Sequence, residues 1–445
     1  MPAAVRNPLV VRATLLAVVT AGLIFAAHLL VRPSPAPAGA HPRPSHGAPL
    51  TYAEAIAHAD QAIADGQALA RTRSGEWLVQ EKIANGYMAR ARLSGSFDDY
   101  AAAQAALDRG FAAAPPGGGP QLTQAVLAFS LHRLARTSQA LDVIDHYAVP
   151  AEFEIAEEAS ALRGDVAFYS GRYAEALTHY RGRKGADESN FRMAVYLAKT
   201  GRTDEALAVL DRMEREMRFP TAQGLANLDL QRGGLELQRG RWEAASRDFA
   251  RADAVFPGYW LAQTHRAQMR ALAGDRSGAI AAFEAIATRN DSPEVMDALA
   301  SLYRAQGDGV RSAQWADRAA AEWERRLKLL PEAAYGHAVE HYLAFGDPRR
   351  ALELAQKDAA ARPYGTAQVA LGWAWLANNR PAEALKALEP LRTSPWVSAE
   401  QHLVAAQAHA LLGDSDAADA EQQKALAINP RSLDRAGALI WFGHS

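Results

Sequence analysis

The sequence predicts an all-α protein in which pairs of helices stack side by side into a solenoid. Beyond about residue 50, apolar residues recur at i, i+3, i+4 and i+7, and almost no alternation with a period of two occurs. Short breaks interrupt these stretches at intervals of about 34 residues, which indicates a repeated helix pair. We expect about ten such hairpins, each burying its apolar face on its neighbours. The breaks are centred on Gly171, Gly201, Gly240, Gly274, Gly307, Gly346, Asn379 and Gly413.

The composition excludes several functional classes. The 445 residues include 48 Lys and Arg against 50 Asp and Glu, so the basic stripe of a nucleic-acid-binding protein is missing and we expect no nucleic acid as a partner. The absence of cysteine excludes disulfides, thiolate metal sites and a cysteine nucleophile. No phosphate-binding loop, dinucleotide fingerprint or serine-hydrolase elbow occurs. We therefore expect no cofactor.

The N-terminus carries a targeting signal. Residues 1–12 form a basic N-region with Arg6 and Arg12, and Ala13–Val31 is an uncharged apolar run long enough to span a bilayer. This run is either a retained transmembrane anchor or the hydrophobic region of a cleaved signal peptide. The first alternative predicts a single-pass inner-membrane protein with a periplasmic C-terminal domain, attached to the membrane through this helix. The second predicts a periplasmic or secreted protein.

The remainder divides into four segments. Residues 32–50 are rich in proline and alanine and are expected to form an extended tether. Residues 51–76 are expected to form an N-terminal capping helix that begins with a capping box of Thr51 and Glu54. Residues 77–430 form the predicted solenoid. Residues 431–445 are expected to form a C-terminal capping helix, because an uncovered terminal repeat would expose apolar surface.

The repeat resembles the tetratricopeptide repeat. That family places a Leu-Gly pair and an aromatic residue on the first helix, and alanines, an aromatic residue and a proline on the second. Second-helix matches are Trp242, Ala245, Phe249, Ala252 and Pro257, and also Gly171, Tyr173, Ala176 and Tyr180. First-helix matches are Met296, Leu299, Ala300 and Tyr303, and also Leu371, Gly372 and Trp375. The resemblance implies a right-handed superhelical solenoid with capping helices at both ends.

The same resemblance implies a binding groove and a function. Transferring the family register predicts that a set of first-helix side chains points into the concave surface, where tetratricopeptide repeats generally bind partner proteins. The predicted groove residues are Phe129, Phe168, Tyr169, Phe191, Lys199, Arg304, Glu340 and Trp373. Together with the N-terminal signal, this predicts a non-enzymatic scaffold or adaptor of the bacterial cell envelope whose partners are envelope proteins. The alternative is a structural assembly factor of a membrane or export complex.

One motif suggests chemistry. His337, Glu340 and His341 have the H-x-x-E-H spacing of a zinc peptidase, in which two histidines on one helix face bind the metal and the glutamate acts as base. A catalytic site also needs a third ligand and a cleft, and the sequence identifies neither. We therefore interpret the three residues as partly exposed helix positions and expect no bound metal. A zinc-dependent hydrolase stays the third hypothesis.

Overall fold

The structure, a computed structural model, describes residues 41–147, 151–181 and 190–438. The predicted basic N-region, the apolar run Ala13–Val31, the first part of the tether and residues 439–445 lie outside these ranges. Within them the chain contains helices and no β-strand, so the predicted all-α class is confirmed. No helix of these ranges combines the length and the apolar character that crossing a bilayer requires.

The described ranges contain 21 α-helices followed by a short 3-10 turn. The helices are α1 (Tyr52–Thr72), α2 (Trp77–Ser94), α3 (Phe97–Ala113), α4 (Gln121–Ser130), α5 (Leu134–Asp145), α6 (Phe153–Tyr169), α7 (Tyr173–Tyr180), α8 (Phe191–Lys199), α9 (Thr203–Glu216), α10 (Ala222–Gln238), α11 (Trp242–Val255), α12 (Trp260–Leu272), α13 (Arg276–Ala287), α14 (Pro293–Ala305), α15 (Gly309–Leu329), α16 (Pro331–Ala344), α17 (Pro348–Ala361), α18 (Gly365–Ala377), α19 (Pro381–Arg392), α20 (Ala399–Leu411) and α21 (Ser415–Ile428). The 3-10 turn is Arg435–Ala438.

Consecutive helices from α2 onward pair into ten antiparallel hairpins, which we number 1 (α2–α3) to 10 (α20–α21). Most turns within the hairpins use a residue with positive φ at the predicted position, including Gly171, Gly240 and Asn379. Gly346 is an exception, since its φ is not positive. Side-chain caps begin many of the helices: Ser292, for example, accepts a hydrogen bond from the amide of Val295.

Small residues bring the two helices of a hairpin close together. A Cβ atom on Gly233 of α10 would lie 2.4 Å from the ring of Phe249 in α11, which is fully buried. Of the aromatic residues that match the repeat pattern, Phe249, Phe283 and Tyr303 are buried, whereas Trp242 and Trp375 are only half-buried. The hairpin core is therefore built as the repeat pattern requires.

The array coils so that its second half stacks on its first. The turn within each of hairpins 1 to 5 lies against the segment that follows the hairpin numbered five higher. The turn of hairpin 1, for example, contacts the segment after hairpin 6. The start of α1 makes the same kind of contact. The contacts join Tyr52 to Pro257, Ser94 to Asn290, Arg133 to Glu332, Tyr173 to Gly365, Lys199 to Val397 and Trp242 to Arg431. One superhelical turn thus takes about five to six hairpins, and hairpins 1–5 and 6–10 form two turns in direct contact.

The N-terminal segment is also packed onto this assembly. Helix α1 packs against α2, and Thr51 accepts a hydrogen bond from the amide of Glu54. The carboxylate of Glu54 accepts from the amide of Leu50 (2.8 Å), one residue before the position that a capping box would use. The last part of the predicted tether, residues 41–50, lies on the array: the amide of Ser45 donates to the carbonyl of Pro220. This part of the tether is docked because His41 has charged partners there.

Candidate functional site

The eight predicted groove residues lie in several different environments. Five of them are buried, Phe191 and Glu340 are partly exposed, and Arg304 is exposed. The buried ones are Phe129, Phe168, Tyr169, Lys199 and Trp373. Several of these contact the second superhelical turn, so stacking of the turns accounts for their burial. Tyr169 contacts Tyr364 (ring centroids 4.7 Å apart), and Phe168 contacts Trp396 (6.2 Å).

Lys199 borders a cleft between the two turns. This Lys199 cleft has a volume of about 490 Å³ and lies between hairpins 4 and 5 on one side and hairpins 9 and 10 on the other. Its walls combine apolar and polar side chains, among them Gln238, Thr366, Val369, Trp396, Glu400 and Ile428. A backbone hydrogen bond joins the two sides of the cleft, since the amide of Val397 donates to the carbonyl of Lys199 (2.9 Å). The two walls of the cleft are therefore fixed relative to one another without a bound partner.

The ammonium group of Lys199 has little compensation for its charge. Its side chain is buried, with Nζ 5.7 Å from the centre of the Trp396 ring, and within the described residues it makes no hydrogen bond or ion pair. Burial lowers the pKa of Lys199 to about 8, and the carboxylate of Glu400 opposes this only in part. A buried cation whose charge a carboxylate offsets only in part attracts an anionic group.

The three residues of the H-x-x-E-H motif do not converge on one point. His341 Nδ1 lies 2.7 Å from Asp297, which also accepts a hydrogen bond from Trp323 Nε1. His337 instead stacks against Trp323, with ring centroids 6.4 Å apart. Burial lowers the pKa of His337 to about 4, and burial raises that of Glu340 well above its usual value. The motif therefore supplies packing and hydrogen bonds in the first helix of hairpin 8.

The ligand atoms of His41, Glu214 and Asp229 do converge, and sequence reasoning missed this cluster. His41 Nδ1 lies 2.6 Å from Glu214 and Nε2 lies 2.8 Å from Asp229. Both carboxylates also pair with Arg232, and Arg251 lies 3.3 Å from Asp229. Hydrogen bonds to Asp229 and Glu214 raise the pKa of His41 to about 9.

The guanidinium groups of Arg232 and Arg251 disfavour the binding of a divalent cation at this cluster. Because His41 has a carboxylate at each ring nitrogen, its ring is best described as doubly protonated. The cluster is therefore an imidazolium clamp for residues 41–50. The sequence contains no local signal for it, because its histidine lies 173 residues from Glu214.

Comparisons with known proteins identify a repeat family in one part of the chain. The sequence model of the family described as Tetratricopeptide repeat matches residues 402–432, which correspond to hairpin 10. No curated protein matches the chain by sequence.

Among solved structures, the chain is similar to the Cut9–Hcn1 hetero-tetramer of APC/C, with 13% identity over 87% of this chain and 83% of that chain and a TM-score of 0.38. It is similar to yeast Tom70, with 12% identity over 86% of this chain and 95% of that chain and a TM-score of 0.34. A tetratricopeptide repeat protein from Parabacteroides merdae shares 14% identity over 55% of this chain and 95% of that chain, with a TM-score of 0.34. Hairpin 10 of the solenoid therefore carries the tetratricopeptide repeat pattern.

Proposed function

We propose that this protein is a non-enzymatic scaffold that binds a segment of a partner protein in the Lys199 cleft. The observation that carries the proposal is the position of Lys199, an unpaired cation beside the Trp396 ring in a cleft that both superhelical turns form. Peptide recognition requires pockets for apolar side chains and a few polar anchors, and this cleft offers both. We expect the bound segment to present a carboxylate to Lys199 and an apolar side chain to Val369 and Ile428.

The rigidity of the array favours this use. The cleft lies where a turn of hairpin 4 is hydrogen-bonded to the segment before hairpin 10, so its two walls are already fixed relative to one another. Association then loses less conformational entropy than it would on a flexible surface. A long solenoid also leaves outer surfaces free for further partners, as a scaffold needs.

We place this scaffold in the cell envelope, with envelope proteins as its partners. This part of the proposal rests on the apolar run Ala13–Val31 and the basic residues before it, which lie outside the described residues. Fractionation of cells that produce the full chain, combined with sequencing of the mature N-terminus, tests it. Recovery of the mature chain in the cytosolic fraction would contradict the envelope assignment.

The binding experiment compares two lysine variants of the full chain. Lys199→Met removes the charge and keeps the length of the apolar stem, and Lys386→Met removes an equal charge from an exposed position of α19. Crosslinking mass spectrometry on membranes of cells that produce each variant should show one partner crosslinked beside the cleft. We expect Lys199→Met to lose that crosslink and Lys386→Met to keep it.

Two results would count against the proposal. A partner that binds Lys199→Met and the unchanged protein equally uses another surface, which would favour the structural assembly factor. Stoichiometric zinc in the purified full chain, lost together with a hydrolytic activity in His337→Ala, would favour the hydrolase instead.

A further inference from the structure

A second cavity between the superhelical turns has features that the scaffold function does not require. This Arg92 cavity has a volume of about 220 Å³ and shares no lining residue with the Lys199 cleft. The first turn contributes Arg92, Tyr100 and His132, and the second contributes Trp260 and Trp323. At about 30 Å³ of liquid volume per water molecule, the space corresponds to about seven waters, comparable to one substituted six-membered ring.

Arg92 carries the only uncompensated charge that we find among the described residues of this wall. Its Nε and Nη2 atoms are buried and have no hydrogen-bond partner. The carboxylate that acts on its charge, that of Glu158, is bound by Arg192 at 2.8 Å. By contrast, Arg326 on the opposite side of the cavity is paired with Glu322 at 3.0 Å. Because a guanidinium group cannot release its proton, an unpaired one inside a protein is costly and attracts an anion.

Helix α10 presents a stripe of amide side chains to the same cavity. Gln223, Asn227 and Gln231 follow one another at intervals of four residues, so they lie on one face of the helix. Within the described residues none of the three has a hydrogen-bond partner. Each amide can both donate and accept, which suits a ligand with several hydroxyl or carbonyl groups. His337 Nδ1, also buried without a partner, adds one more polar group to the wall.

The aromatic part of the wall is fixed in place. Trp260 Nε1 donates to the carbonyl of Leu93 at 2.8 Å, and Trp323 Nε1 donates to Asp297 at 3.0 Å. Tyr259 stacks on Tyr52 with ring centroids 6.0 Å apart. Hydrogen bonds or stacking within the protein hold these rings in place, so they form a preorganised apolar part of the wall.

We propose that the Arg92 cavity binds a small organic anion in which a carboxylate or phosphate is attached to a hydroxylated ring, as in an acidic or phosphorylated sugar. Arg92 binds the anionic group, the amide stripe of α10 binds the hydroxyl groups, and Trp260 and Trp323 flank the ring. This goes beyond the scaffold function and does not depend on it. Because the walls belong to both turns, the bound anion joins the two halves of the solenoid.

The test uses the purified full chain and three probes. D-Glucuronate and glucose 6-phosphate carry the two kinds of anion on a hydroxylated ring, and D-glucose is the matched neutral ring. We expect millimolar concentrations of at least one anionic probe to change the intrinsic tryptophan fluorescence saturably and to raise the melting temperature. Glucose should bind at least tenfold more weakly. The anionic probe with the lower Kd identifies the group that Arg92 recognises.

Two variants assign the effect to the cavity. Arg92→Gln should weaken binding of the anionic probe at least tenfold, and Arg71→Gln, an exposed position of α1, should leave it unchanged. Arg92→Gln should also melt at the same temperature as the unliganded protein or higher, because it removes an unpaired buried charge. A purely structural arginine would lower the melting temperature when it is replaced. The proposal is overturned if neither anionic probe binds saturably, or if Arg92→Gln binds as well as the unchanged protein.

Discussion

The hydroxyl group of Tyr173 accepts a hydrogen bond from the amide of Gly365 at 2.9 Å, across 192 residues of sequence. Both residues are buried. Tyr173 begins the second helix of hairpin 3 and Gly365 begins the first helix of hairpin 9, so the bond joins the two superhelical turns. The surrounding contact is aromatic: Phe168 lies edge-on to Tyr173 (5.2 Å) and Trp396 lies 6.1 Å away.

Tyr173→Phe tests how strongly the two turns hold together. The substitution keeps the ring and leaves the Gly365 amide buried without an acceptor, which costs about 1–3 kcal/mol. We expect urea denaturation to show this loss in the free energy of unfolding. Tyr335→Phe is the control, since the Tyr335 hydroxyl has no hydrogen-bond partner among the described residues and its ring is only partly buried. Equal stability of the two variants would show that the contact between the turns contributes little.

Two adjacent glycines of α10 should respond oppositely to the same change. A Cβ atom on Gly233 would lie 2.4 Å from the buried Phe249 ring, whereas one on Gly234 would meet nothing within 4 Å. Gly233→Ala should destabilise the protein by about 1–3 kcal/mol because Phe249 must move. Gly234→Ala should stabilise it by about 0.5–1 kcal/mol, since alanine loses less backbone entropy in a helix. Thermal and urea unfolding measure both, and destabilisation by Gly234→Ala would contradict the open space around Gly234.

The hairpins could be predicted from sequence because their determinants are local and periodic. Glycines such as Gly171 and Gly240 end the first helices in the left-handed conformation, and the break at Asn379 behaves in the same way. In hairpin 2, which has no glycine at this position, His132 adopts φ 61 instead. Its ring lies 6.0 Å from that of His337 in hairpin 8. The sequence shows that hairpin 2 has no glycine at this position. It does not show that His132 takes its place and contacts His337 of the second superhelical turn.

The contacts between the turns could not be predicted, because the residues that make them have no periodic relationship. Trp260 begins the first helix of hairpin 6 and donates to the carbonyl of Leu93 at the end of α2, 167 residues earlier. The family register placed Phe168 and Tyr169 on the inner surface but could not show that Trp396 and Tyr364 would cover them. The two cavities were missed for the same reason, since each has walls from both turns. The partner-binding role of the predicted groove residues stays a prediction.

The imidazolium clamp of residues 41–50 predicts a dependence of stability on pH. Hydrogen bonds to Asp229 and Glu214 raise the pKa of His41 to about 9, against about 6.5 in an unfolded chain. Because the folded-state pKa is the higher one, the clamp stabilises the protein fully below about pH 6.5 and is lost as the pH rises through about 9. Arg232 and Arg251 pair with the same two carboxylates, and arginine side chains stay charged over this pH range.

The difference in melting temperature between the unchanged protein and His41→Ala measures this effect. We expect a clear difference at about pH 6 that disappears by about pH 10. Burial and the charge of Asp229 raise the pKa of Asp248 to about 6. Asp248 titrates in both proteins, so the difference between their melting temperatures contains little of its contribution. His58→Ala, an exposed position of α1, should show no such difference at either pH. A constant difference between His41→Ala and the unchanged protein at all pH values would exclude the charged clamp.

Removal of residues 431–445 tests whether the end of the array needs a cover. The Arg431 guanidinium lies 4.2 Å from the centre of the Trp242 ring and 3.5 Å from Glu243, so the segment after hairpin 10 folds back onto the turn of hairpin 5. Deletion uncovers Trp242 and one side of the terminal hairpin. We expect a lower free energy of unfolding and association that increases with protein concentration, measured by urea denaturation and sedimentation velocity.

Arg431→Ala in the full chain separates the two effects of the deletion. It removes a cation–π contact worth about 0.5–2 kcal/mol but leaves the rest of the cover in place, so it should lower stability without causing association. If the truncated protein associates and the Arg431→Ala variant does not, the C-terminal segment acts by shielding apolar surface. A truncated protein that stays monomeric and fully stable would instead mean that hairpin 10 needs no cover. Its outer face would then be polar enough to be exposed to solvent.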